Sequence, residues 1–179
     1  MKKVITAIVT ICLLVIMCAS SVSNGAVSST MVPHTGSAID SSTPVYVPNP
    51  WVRCATMREA KYIAGFGLTA PDKIAGAPRN KISAIKGDMI ELTYKNKSNT
   101  IYLRKSKGKN QDNSGVYTNY QAKKTLTVNK TKVYTKGKKS GSKYTVNVAT
   151  WTKGNYSYSI SCKKGVSTSS ITKAVKAVK

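Results

Sequence analysis

The sequence predicts an α+β domain: an antiparallel, meander-like sheet of six or seven strands with one helix before it and another after it. Three observations carry this. From Asn80 to Cys162 apolar and polar residues alternate with period two between short turn-forming clusters, the pattern of half-buried strands. A capped stretch with helical spacing precedes that region, and a second helical stretch follows it. The domain spans residues 49–179, and about 130 residues are enough for one core.

The chain opens with Lys2 and Lys3, an apolar run from Val4 to Met17, and then small and polar residues through Ala26. That three-part layout predicts a signal peptide over 1–26 and an exported protein, with cleavage fitting after either Ser21 or Ala26. The apolar run falls short of the roughly 20 residues that span a bilayer, so a cleaved leader is expected over an anchor. Residues 27–48 are rich in Ser, Thr and Pro without periodicity and read as a flexible linker. The single histidine, His34, lies there and is assigned no chemistry.

Order is expected from Asn49. Thr56-Met-Arg-Glu59 fits a capping box, in which hydroxyl and carboxylate each satisfy a free backbone N–H. Met57, Ala60, Tyr62, Ile63 and Ala64 supply the apolar side of the helix, and Gly65 or Gly67 ends it. Leu68 to Arg79, with Pro71 and Pro78, reads as irregular. Strands then follow around Ile82 and Ala84, around Ile90, Leu92 and Tyr94, and around Ile101 and Leu103. A long loop occupies Lys105 to Tyr120. Beyond it come Leu126 with Val128, Val133 with Thr135, then Tyr144, Val146 and Val148, and finally Tyr156, Tyr158, Ile160 and Cys162 on one face. From Ser167 the spacing is helical again, with Ile171, Ala174, Val175 and Val178 on one stripe and lysines in the last turns, where the helix dipole favours them.

The chain carries a net charge of +23, from 29 Lys plus Arg against 6 Asp plus Glu, and loss of the leader with Lys2 and Lys3 lowers it to +21. Charge of one sign repels itself, so its expected partners are anionic: an envelope polymer, anionic lipid or an acidic protein. Only 4 of the basic residues are Arg. Nucleic-acid readers favour the planar guanidinium over the point charge of Lys, and export separates this chain from nucleic acid, so that partner is not expected.

The leader also removes Cys12 and Cys18 and leaves Cys54 and Cys162, an even pair in an exported chain and hence a candidate disulfide. Closing so long a loop would contribute up to about 4–5 kcal/mol in the chain-entropy picture. The ordered region has no histidine, and its acids Glu59, Asp72, Asp88, Glu91 and Asp112 are scattered. Paired carboxylates, a nucleophile with its base and a metal-ligand cluster are therefore all missing from the sequence pattern, and no catalytic residue, metal site or cofactor is expected. Tyr102 and Tyr134 lie out of phase with the aliphatic residues of their strands, which places them on the open face as possible stacking contacts. Trp51 and Trp151 read as packing anchors.

Several segments together carry a resemblance. They are Asn49-Pro-Trp-Val52, Thr56-Met-Arg-Glu-Ala60, Ala64-Gly-Phe66, Gly87 to Tyr94, Ile101 to Lys105, Ser114-Gly-Val-Tyr117 and Asn147 to Ile160, the last being the most specific. On these, residues 49 to about 178 resemble a bacterial domain-of-unknown-function family. It occurs in secreted Gram-positive proteins and in the extracytoplasmic part of anti-sigma-factor-like proteins. The resemblance implies an exported α+β domain with no assigned activity and no catalytic residues. This chain departs from the family pattern in its lysine-rich loop over Lys105 to Tyr120 and in its two cysteines. With no cytoplasmic domain upstream, a direct anti-sigma role is not expected.

A meander places alternate turns at the same end of the sheet. Lys105, Lys107 and Lys109, then Lys136, Lys138 and Lys139, then Lys163 and Lys164 are accordingly expected to form one basic patch. The function that follows is a secreted or cell-surface, non-enzymatic domain that holds an anionic partner electrostatically. The alternative is an extracytoplasmic sensory domain that binds a small ligand or partner through its sheet.

Overall fold

Alternation and capping, both local signals, set the elements. The computed structural model describes residues 48–179; the expected leader, the linker short of its last residue, and His34 lie outside them. In chain order the elements are β1 (Trp51–Cys54), α1 (Met57–Ala64), β2 (Lys73–Ile74), β3 (Ala77–Ile85), β4 (Met89–Lys95) and β5 (Thr100–Lys107). They continue with β6 (Ala122–Val128), β7 (Thr131–Ser140), β8 (Lys143–Lys153), β9 (Tyr156–Val166) and α2 (Thr168–Ala177).

The α+β class and the antiparallel sheet are as the sequence predicts. The strand count is higher, at nine among the described residues, and a strand rather than a helix comes first. The two additional strands are β1 and β2. β1 is a four-residue edge strand, too short to display a period. β2 forms a hairpin with β3 in the segment read as irregular, through Ala75 and Gly76, both at positive φ (49° and 78°). Such turns usually carry Asn or Asp before the glycine, so Ala75 gave no signal.

Both helices start where the caps direct. Thr56 Oγ1 accepts from Glu59 N at 3.2 Å, while the Glu59 carboxylate accepts from Ala55 N at 2.7 Å, one residue before the usual capping-box partner. Gly65 closes α1 in the left-handed region and donates to Lys61 O. Met57, Ala60, Ile63 and Ala64 face the core, but Tyr62 points away and is 89% exposed. Ser167 caps α2, whose Ile171, Ala174 and Val175 are buried. After α2 the chain end pairs with the segment following α1, through Thr69 N to Lys179 O and Lys179 N to Thr69 O.

The strand order is β1-β3-β4-β5-β9-β8-β7-β6, with β2 attached to β3. This is not a simple meander. The loop 108–121 leaves the end of β5 and delivers the chain to β6 at the far edge, and the sheet then fills inward until β9 pairs with β5. Because β9 runs antiparallel to β5, and β8, β7 and β6 alternate outward from it, β6 and β5 point the same way. The loop must therefore travel back along the length of the sheet.

Register separates the two faces. Across all eight strands of the path, one row reads Cys54, Ile82, Leu92, Leu103, Ile160, Ala149, Thr135 and Lys124. The neighbouring row reads Arg53, Ser83, Glu91, Arg104, Ser159, Thr150, Tyr134 and Thr125. Successive residues of a strand point to opposite faces, so the first row faces the core and the second faces outward. α1 packs on β1, β3 and β4, and α2 on β6, β8 and β9, completing one apolar cluster on the inner face. A bulge between Val146 and Val148 breaks the alternation expected there: Val146 joins the core, while Val148 is buried outside that cluster. The matching irregularity in β7 falls at Gly137, where a Cβ would collide with the Thr145 carbonyl.

Candidate binding surface

The outer face is polar, and the loop 108–121 straps it. Gln111 N donates to Ser157 Oγ at 2.9 Å, and Ser157 Oγ donates to Gly108 O at 2.9 Å. The buried Asn113 side chain donates to Ser106 Oγ at 2.8 Å and Ser157 O at 3.1 Å. Arg104 Nε meets Glu91 Oε2 at 2.7 Å, and its Nη1 donates to Asn113 O at 3.1 Å. The same guanidinium lies over the rings of Trp51 and Tyr102, at 5.6 and 6.0 Å from their centroids. Gly115 packs directly over it at positive φ (66°), where a Cβ would strike the guanidinium.

The strap decides where the lysines go. By reversing β6, it reverses every later turn relative to a meander. Lys107 and Lys109 lie at the end that holds the β3–β4 and β8–β9 turns, where Lys107 N donates to Asp88 O and Gly108 N to Asn155 O. Lys138, Lys139, Lys163 and Lys164 lie at the opposite end. Lys136 sits on the outer face, 3.1 Å from Asp112. The eight lysines expected in one patch are thus divided between two ends and a face. The second end instead gains Lys95, Lys97 and Lys143. Lys164 N donates to Asn99 Oδ1 and Asn99 Nδ2 donates to Gly165 O, which ties the β4–β5 turn to the end of β9. Ser140 pairs Lys143 across the β7–β8 turn. Lys95, Lys97, Lys138, Lys139, Lys143, Lys163 and Lys164 are all exposed, and segments 95–100, 138–145 and 161–166 contain no acid. Together they form a basic ridge.

Lys105 is not on a surface. It faces the core, 7% exposed, with Nζ donating to Gly67 O at 2.6 Å. The rings of Tyr156, Tyr158 and Phe66 surround the ammonium at 4.3, 5.4 and 5.5 Å. Burial, and then the charge of Lys153, push its pKa down, while the three ring faces and the carbonyl favour the cation. Its place in the alternation, two residues after Leu103, carried this signal.

Cys54 and Cys162 are buried free thiols and do not form the expected disulfide. β3, β4 and β5 lie between their strands. Four inter-strand steps of about 4.8 Å each exceed the roughly 7 Å that a disulfide bridges between Cα atoms. Burial pushes the Cys162 thiol up to about 12.

Tyr102 and Tyr134 both lie on the outer face, 36% and 56% exposed, on β5 and β7. Beside Tyr134 is a groove of about 500 Å³ that includes Asn110, Gln111, Asp112 and Lys136. Burial works to raise the Asp112 carboxyl, but hydrogen bonds from Ser114 and Lys136 outweigh it and hold the pKa below its ordinary value. Beside Tyr102 is a slot of about 470 Å³, walled on its far side by Val116 and Tyr120 of the strap. Trp151 is a packing anchor as read, stacked on Tyr158 at 5.3 Å, whereas Trp51 is only half-buried.

The acids stay apart. Glu59 serves the α1 cap, while Asp72 pairs Arg79, Glu91 pairs Arg104 and Asp112 pairs Lys136. Among the described residues no three His, Cys, Asp or Glu side chains are grouped to hold a metal. Comparisons with protein families, curated proteins and solved structures return no match to this chain.

Proposed function

We propose that this domain is an exported, non-enzymatic binding module that holds an anionic polymer of the cell envelope against its basic ridge. The observation that carries this reading is the convergence of seven exposed lysines from three neighbouring acid-free segments. Lysines on flexible stems act as hydrated point charges and suit a partner of repeating charge more than one of fixed shape. The leader and the resemblance to exported domains support the location. The test is retention of the exported protein on its own cell-envelope fraction at low and at physiological salt. Exposed charges are screened over about 8–10 Å at physiological ionic strength, so retention should fall steeply. Exposed ion pairs contribute about 0.2–1 kcal/mol each. Replacing Lys138, Lys139, Lys163 and Lys164 with Gln should therefore weaken retention by roughly an order of magnitude. Salt-insensitive retention would sink the reading.

A second reading is favoured by the grooves beside Tyr102 and Tyr134: a sensory domain taking a small ligand through the sheet. Saturable, salt-tolerant binding lost on Tyr102→Ala or Tyr134→Ala would select it.

A further inference from the structure

We propose that the slot beside Tyr102 is a subsite for one acidic sugar unit, a hexose ring bearing a carboxylate, within the polymer that lies on the ridge. This rests on the anionic-polymer reading and gives it a chemical class.

The slot is built on the outer face where β5, β9 and β8 meet beneath the strap. Tyr102 of β5 forms one wall, and Val116 and Tyr120 of the strap form the other. Ser161 and Asn147 lie at the floor, 5% and 3% exposed, and Lys163 is at the margin. Asn147 Nδ2 is committed to Cys162 O and Lys163 O at 3.1 and 3.4 Å. Its Oδ1 has no partner among the described residues and is itself closed to solvent, so Asn147 shapes the floor while the hydroxyls of Ser161, Thr100 and Thr118 line the slot. The volume of about 470 Å³ falls within the roughly 300–1,000 Å³ of small-molecule sites.

This combination selects a ligand class. A pyranose presents C–H groups on its ring faces and hydroxyls around its rim. Tyrosine rings offer a broad apolar face at low entropic cost, while hydroxyls take the rim groups. The lining contains no acid, and its one cation is Lys163. Lys163 belongs also to the basic ridge, so the slot and the ridge share a residue and a chain held by Lys163 on the ridge lies at the slot's mouth. The groove beside Tyr134 differs on this point, because Asp112 and Lys136 already neutralise each other there.

The test titrates the purified exported protein with tetragalacturonate, a short oligomer of a hexuronic acid, and separately with maltotetraose and inorganic phosphate. Backbone amide NMR and calorimetry serve as readouts. Tetragalacturonate should bind and shift the Tyr102, Tyr120 and Asn147 amides. Tyr102→Ala and Tyr120→Ala should each weaken it at least tenfold, Tyr102→Phe should weaken it less, and Lys163→Gln should remove its preference over maltotetraose. Tyr102 lies outside the core cluster and its ring meets only the Arg104 guanidinium among charged groups, so the fold should survive its substitution, and the NMR spectrum reports this directly. The proposal is overturned if both alanine variants bind as the parent does, or if maltotetraose or phosphate binds as tightly. It is overturned equally if tetragalacturonate fails to bind while the envelope fraction still retains the protein; the ridge reading then stands alone. Conversely, Tyr102-dependent binding of tetragalacturonate by a protein whose envelope retention ignores salt would keep the slot and remove the ridge.

Discussion

The inner face of the sheet presents Leu92, Leu103 and Ile160 to two helices, while the outer face, one residue away on the same strands, presents Glu91, Arg104 and Ser159 to an irregular strap. Both layers are largely closed to water, and they are closed by different forces. The inner layer gains from non-directional apolar burial, which tolerates any partner of suitable shape. The outer layer depends on directed bonds: Asn113 to Ser106 and Ser157, and Arg104 to Glu91 and to the strap backbone. A buried polar layer is stable only while its members are paired. Ser83, Ser159 and the Oδ1 atoms of Asn113 and Asn147 lack partners among the described residues. The inner face should therefore carry most of the stability, and the outer face is where opening and exchange with a ligand are least costly.

The largest effect should come from emptying the inner face. Leu103 is fully buried, and Leu103→Ala should cost about 2–5 kcal/mol in urea unfolding. A loss below about 1 kcal/mol would mean that the inner layer is not the main source of stability.

Asn113→Ala tests the other face. Two hydrogen bonds at about 1 kcal/mol each set the expected loss near 2 kcal/mol. Hydrogen exchange should then accelerate across 108–121 while the amides of β4 and β5 keep their protection. Equal acceleration in both would show that the two faces open together and break the contrast.

The smallest effect, for a single group near pH 10, is in pH dependence, where the faces respond at opposite ends of the scale. Burial raises the inner-face Cys162 thiol from 9.0 to about 12 and the Tyr94 hydroxyl from 10.0 to about 12. The unfolded groups ionise first, so stability held below pH 9 is lost as pH rises from 9 towards 12. At pH 10 the thiol alone accounts for a loss on the order of 1 kcal/mol, and Cys162→Ala should flatten the first part of the decline. Lys105 acts in the opposite sense, because the cost of its buried charge is relieved as pH rises through its lowered pKa. On the outer face Asp112 is depressed below 3.8, so what it contributes is present above that value and is lost as pH falls further. Melting temperature from pH 2 to pH 11 checks both arms. An alkaline decline unchanged by Cys162→Ala would remove the thiol from this account.

Much of the fold was legible because the relevant forces act between near neighbours. Thr56, Glu59 and Gly65 marked α1, Ser167 marked the start of α2, and alternation around Leu92, Leu103 and Ile160 marked the inner face. The same alternation placed Tyr102 and Tyr134 outside. β1 and β2 escaped because four and two residues display no period, and their pairing with β3 is a tertiary matter. The candidate site was only half legible. The lysines could be counted, but their grouping depended on strand direction, and the slot beside Tyr102 required Val116 and Tyr120 to arrive from a loop with no periodicity.

By itself the sequence determined the charge, the caps, the α+β class and, except at the β8 bulge that takes Val148 out of the core cluster, which strand residues face the core, since each depends on contacts within a few residues. Only the tertiary structure decided the strand order, and with it the burial of Lys105 among three rings, the separation of Cys54 from Cys162, and the division of the expected patch. One crossing, the strap over 108–121, settled these placements. It carries the chain back along the sheet, reverses every strand that follows, and is fixed by partners up to 49 residues away in sequence.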